Sequence, residues 1–96
     1  KKNKLLKVVS GEKEDGIIFI NQDAEIFLSD LEAGIKLNYE VKNNHGVYLQ
    51  LVDGTLIVNG NKIENGDALK ITDEKNLELI AEKEAKIVLF DITLEF

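Results

Sequence analysis

Apolar and polar residues alternate with a period of two along almost the whole chain, and no helical 3.6-residue pattern runs longer than two turns. Leu49 and Leu51 alternate with Tyr48 and Gln50, and Leu77, Leu79 and Ala81 alternate with Glu78, Ile80 and Glu82. In KIVLFDITLEF the residues Val88, Phe90, Ile92, Leu94 and Phe96 share one face. Successive side chains of a strand point to opposite faces, so these rows mark strands with the apolar row on the core side. GIIFI, residues 16–20, is instead a continuous apolar run, as in a strand covered on both faces. Only SDLEAG, residues 29–34, admits a single helical turn.

Turn signals divide this pattern. Asp15-Gly16, Asp53-Gly54, Asn59-Gly60 and Asn65-Gly66 suit tight hairpins, because glycine and asparagine accept positive φ. Asn43-Asn44-His45-Gly46 reads as a slightly longer loop. The result is nine or ten short strands, near residues 4–9, 16–20, 24–30, 36–42, 46–52, 55–59, 61–64, 67–72, 76–81 and 86–95, with no proline to break one. A 96-residue chain of this kind forms one all-β domain, which hides its sheet edges by closing into a barrel or a two-sheet sandwich.

The formal net charge is −6, which opposes binding to nucleic acid or to anionic membrane. The basic cluster of Lys1, Lys2, Lys4 and Lys7 reads as a solubilising terminus rather than an anion-binding arm. Cysteine is absent, which excludes disulfides and thiolate metal sites. Neither a transmembrane run nor a signal-peptide pattern is present, so a cytoplasmic location is expected. Methionine is also absent, the expected mark of a processed product or of a domain cut from a longer protein.

Enzyme motifs fail in turn. No P-loop or dinucleotide fingerprint occurs. Serine occurs only at positions 10 and 29 and histidine only at 45, so no nucleophilic triad is evident. One imidazole is too few for a zinc or iron site. The acidic groups (Glu12, Glu14, Asp15; Asp73, Glu74; Glu82, Glu84) lack EF-hand spacing and read as solvated turns. His45 is either a general base or an exposed hairpin residue, and its place at a loop tip favours the second. Tyr39 and Tyr48 read as core or interface residues with a hydrogen-bonded hydroxyl rather than as catalytic acids. No catalytic, cofactor-binding or metal-binding residue is assigned.

One segment has a recognisable spacing. Five residues separate Gly34 from Glu40, one separates Glu40 from Lys42, four separate Lys42 from Val47, and six separate Val47 from Gly54. This resembles the first cupin motif, which carries His, His and Glu at the three inner positions. Gly66-Asp67 resembles the start of the second motif, but Thr72 and Glu74 stand at its Pro and Gly positions and Leu77 at its histidine position. All four metal-ligand positions therefore hold non-matching residues. Valine and leucine cannot bind a metal, and a lysine ammonium competes with one. The stretch from YLQLVDGTLIVNG through GDALKITDE to IVLFDI resembles the carboxy-terminal domain of bacterial pirin-like bicupins, a family that includes proteins with quercetin 2,3-dioxygenase activity. The resemblance covers nearly the whole chain, most strongly residues 46–92. It implies a cupin-type double-stranded β-helix, or jelly-roll barrel, with no cofactor of its own. It also implies an amino-terminal partner barrel holding iron or another divalent metal. In that setting residues 1–96 form the degenerate, non-catalytic half, a scaffold for the metal-bearing domain and prone to self-association once isolated.

Cupin register and burial disagree over residues 36–42. The register turns Glu40 and Lys42 into the lumen, whereas burial turns Leu37, Tyr39 and Val41 inward and leaves the charges in water. Burial is the expectation adopted. Two other functions are open. One is a metal-free small-molecule barrel with Lys42 inside, which a lumen filled by Val47, Leu49, Leu51 and Leu77 excludes. The other is a protein-interaction module, which an exposed apolar patch favours.

Overall fold

A computed structural model describes residues 3–10, 18–19 and 24–93. It contains ten strands: β1 (Leu6–Ser10), β2 (Ile18–Phe19), β3 (Ala24–Leu31), β4 (Lys36–Glu40), β5 (His45–Asp53), β6 (Thr55–Val58), β7 (Asn61–Glu64), β8 (Ala68–Ile71), β9 (Asn76–Ala81) and β10 (Ala85–Thr93). They form a six-stranded sheet in the order β2-β1-β3-β10-β5-β8 and a four-stranded sheet in the order β4-β9-β6-β7. Every pairing is antiparallel except β1 with β2. This is the all-β, jelly-roll architecture expected of a small cupin domain.

The two sheets close on an aliphatic core. Leu49, Leu51, Leu56, Leu77, Leu79 and Leu89 are each fully buried in it. Burying a side chain of this size stabilises a fold by about 1.5–3 kcal/mol, so these leucines dominate the packing. The turns lie where the Asx-Gly pairs stand. Asn59 and Gly60 both have positive φ, and the Asn59 side chain ties the hairpin to β9 by accepting from the Glu78 N–H at 2.7 Å and donating to the Asn76 carbonyl at 3.1 Å. Gly54 is required for space as well as for its φ of 102°. A Cβ there would lie 2.0 Å from the Glu84 carbonyl oxygen.

Four expectations need correction. SDLEAG forms no helical turn: Ser29–Leu31 ends β3, and the chain then turns to Gly34 at positive φ. The inner face of β10 is not the Val88 row but Ala85, Ile87, Leu89 and Asp91, all buried. Both rows of this strand are apolar, and alternation alone does not rank them. Lys7 is no solubilising residue, because its ammonium lies 2.7 Å from a Glu25 carboxylate oxygen that is itself largely buried. His45, expected at an exposed loop tip, is buried and opens β5. Glu40 and Lys42 follow the burial expectation. Both side chains are on the exposed row, Val41 is buried, and Leu37 and Tyr39 pack against the core. The side chains of GIIFI, the Asp15-Gly16 turn, the acidic residues 12–15, and Lys1 and Lys2 lie outside what the structure describes.

Candidate functional site

Buried polar side chains gather at one end of the aliphatic core. On β10 the alternation that points Ile87 and Leu89 inward also points Asp91 inward, and its exposure is 0%. Asp91 pairs across the sheet with Glu25 on β3 and Val47 on β5. His45 shares the inward parity of Val47, Leu49 and Leu51, and Asn44, at a φ of 62°, turns the chain into that strand. The His45 Nδ1–H donates to Asp91 Oδ1 at 2.6 Å. From the opposite sheet, the Tyr39 hydroxyl donates to Asp91 Oδ2, and its ring stands edge-on to Phe27 at 5.4 Å. Asp91 thus takes one partner from each sheet, and Tyr39 joins the sheets at this end. Burial, and then the bond to the Asp91 carboxylate, push the Tyr39 phenol well above its usual range.

Glu25 is the second acid of the cluster. Lys7 Nζ lies 2.7 Å from one of its oxygens and Lys42 Nζ 2.9 Å from the other. Burial alone would raise this carboxyl, but the hydrogen bonds from Lys7 and Lys42, with the charges behind them, hold it below the ordinary glutamate range. Two carboxylates, two ammonium groups, an imidazole and a phenol therefore satisfy one another. Among the described residues no buried side-chain polar atom lacks a partner. A network of this kind rigidifies a core end. The Ser29 hydroxyl donates to the Lys4 carbonyl at 2.8 Å.

The four metal-motif positions are scattered. Val47 (1% exposed) and Leu77 (0%) are part of the aliphatic core, Glu40 faces water, and Lys42 is held by Glu25. The residues present do not fit a metal ion, and among the described residues no group of three or more His, Asp or Glu is arranged to hold one. Beside His45, a cavity of about 240 Å³ is lined by Lys42, Asn43, Thr72, Asp73 and Lys75, smaller than the roughly 300–1,000 Å³ of ordinary ligand pockets. Tyr39 has the hydrogen-bonded hydroxyl expected of it, whereas Tyr48 is exposed on the outer face of the six-stranded sheet, edge-on to Phe90.

The cluster escaped motif reading because its members lie far apart in sequence. The available signal was parity: His45 is two residues from Val47, Asp91 two from Leu89, and Tyr39 two from both Leu37 and Val41.

Residues 7–92 match the family described as the quercetinase C-terminal cupin domain. The chain is 28% identical over 85 residues to quercetin 2,3-dioxygenase of Escherichia coli K12, an alignment covering 88% of this chain and 37% of that protein. It superposes on the crystal structure of YhhW from Escherichia coli with a TM-score of 0.89 at 27% identity, covering 94% of this chain and 38% of that one. The nickel(II) complex of the same bacterial pirin gives the same score and covers 39% of that chain. The chain therefore spans less than two fifths of the length of these relatives. Match, fold and degenerate motif positions agree, and the chain belongs to the quercetinase C-terminal cupin domain family.

Proposed function

We propose that this domain is a non-catalytic, accessory cupin within a longer pirin-like polypeptide, where it packs against an amino-terminal cupin that carries the metal. Any quercetinase-like dioxygenation then takes place in that other domain, and this one shapes and stabilises it. The observation that carries the reading is the occupancy of the motif positions: aliphatic side chains fill two of the places where a cupin holds its metal, deep in a closed core. The short coverage of the relatives supports it, as does the nickel bound by a bacterial pirin. The same filled lumen, with Val47, Leu49, Leu51 and Leu77 in one cluster, speaks against a metal-free ligand barrel.

Metal retention tests the proposal. The 96-residue chain is incubated with iron, nickel, zinc and copper, desalted, and assayed for bound metal by mass spectrometry. The expected result is no retained metal on this chain and retained metal on the full-length polypeptide. A stoichiometric metal on the isolated chain refutes the accessory reading.

A further inference from the structure

Among the described residues the six-stranded sheet carries apolar side chains on both faces, those of the outer face forming one block flanked by Asp30, Gln50, Lys70 and Lys86. Its inner face packs on the core, while its outer face presents Ile26 and Leu28 from β3, Val88, Phe90 and Ile92 from β10, and Tyr48 from β5. These residues are adjacent by register: Leu28 pairs with Val88, Ile26 with Phe90, and Phe90 with Tyr48. Leu6 on β1 extends the patch by pairing with Leu28. Tyr48 and Ile92 are 40% and 39% exposed. A cleft of about 460 Å³ runs along Tyr48, Phe90 and Ile92, with Lys70 and Thr72 on its far wall.

An antiparallel sheet that faces water carries mostly polar residues on that side, so a contiguous apolar block such as this one fits a covered surface. Strands about 4.8 Å apart with a rise of about 3.4 Å per residue give the patch a footprint of roughly 20 by 20 Å, on the order of 400 Å². That is the scale of one side of an interface between domains of a single chain, which totals about 600–1,500 Å².

Charge and chain length narrow the choice of occupant. Each copy of the chain carries a net charge of −6, so pairing two copies on this face brings two acidic bodies together. The relatives, by contrast, contain more than this domain: it spans 37% of one and 39% of another. The remainder of such a polypeptide is a covering body tethered at high effective concentration. We infer that the outer face of the six-stranded sheet, centred on Phe90 and Tyr48, seats the other domain of the parent polypeptide. The surface that covers it is apolar, with a carboxylate or carbonyl opposite Lys70. This inference rests on the accessory reading and adds which face is used.

Thiol labelling tests it, because the chain has no cysteine of its own. Tyr48→Cys and Ile92→Cys place a thiol on the face, and Asn38→Cys places one on the exposed row of β4 in the other sheet. Iodoacetamide labelling rates are followed by peptide mass spectrometry in the 96-residue chain and in the full-length polypeptide. The Tyr48→Cys and Ile92→Cys thiols are expected to react at least tenfold more slowly in the full-length protein, and the Asn38→Cys thiol equally fast in both. Equal rates at all three positions overturn the inference. Protection confined to Asn38→Cys overturns the choice of face and leaves the accessory reading standing. Protection of Tyr48→Cys in the isolated chain that grows with protein concentration assigns the face to a second copy and also overturns the inference. Failure of the accessory reading shows separately, as metal on the isolated chain.

Discussion

Replacing Tyr39 by Phe removes one hydroxyl and little else. The ring keeps its edge-on contact with Phe27, while Asp91 Oδ2 loses its donor from the opposite sheet. Asp91 is fully buried, so the variant takes from Oδ2 the donor supplied by the opposite sheet, while His45 keeps its bond to Oδ1. A hydrogen bond to a charged group contributes about 1.5–3 kcal/mol, and that is the expected loss. With a urea m-value of about 1 kcal/mol/M the midpoint falls by roughly 1.5–3 M. At about 4–8 °C per kcal/mol for a domain of this size, Tm falls by roughly 6–24 °C. Far-ultraviolet circular dichroism follows the transition, since the chain has no tryptophan. The pH dependence supplies a second check. The folded-state pKa of Tyr39 is raised, so its contribution is fully present below the unfolded phenol value of about 10 and is lost as pH rises through the higher folded value. The gap between wild type and Tyr39→Phe is therefore constant from neutrality to about pH 10 and closes above it. A variant within about 0.5 kcal/mol of wild type, the spread of ordinary surface substitutions, refutes the idea that Tyr39 clasps the sheets. So does a gap that widens in alkali.

Further predictions follow from single contacts. Gly54→Ala drives a Cβ to 2.0 Å from the Glu84 carbonyl oxygen at a φ of 102°; a loss above about 4 kcal/mol, or no folded protein on expression, is expected. Glu25→Gln removes the carboxylate charge that both Lys7 and Lys42 contact. Allowing for solvent screening of Lys42, the loss near neutral pH is about 1 kcal/mol. Because the folded-state pKa of Glu25 is lowered, its contribution is present above the unfolded value of 4.5 and fades as pH falls through the folded value. The two proteins' urea midpoints converge in acid. Leu77→His restores an imidazole at a motif position inside a fully buried aliphatic site; it costs about 2–5 kcal/mol by denaturation and gains no nickel by metal analysis.

The strands and turns were legible because they are local. Each strand needs only alternation over a few residues, and each hairpin needs a residue that accepts positive φ, as Asn59 and Gly60 do. Leu49, Leu51, Leu77, Leu79 and Ala81 alternate with polar or half-buried neighbours and were readable as core for the same reason. Two of the metal-motif positions, Val47 and Leu77, were readable as non-ligands from chemistry alone, since no fold turns a valine or a leucine into a donor. His45 was misread because its neighbours are turn formers, and a loop signal says nothing of the side to which the first strand residue points.

The sequence by itself determined an all-β domain of about ten short strands, their turns, and the mismatch of Val47 and Leu77 with a cupin's metal-ligand positions, because each depends on residue type and near-neighbour spacing. The tertiary structure alone decided which of two apolar rows on β10 faces the core. It also brought Tyr39, His45, Asp91 and Glu25 from four strands to one place. The reason is physical: alternation assigns residues to faces but does not say which face another sheet will cover, and a buried polar cluster exists only once strands distant in sequence are paired.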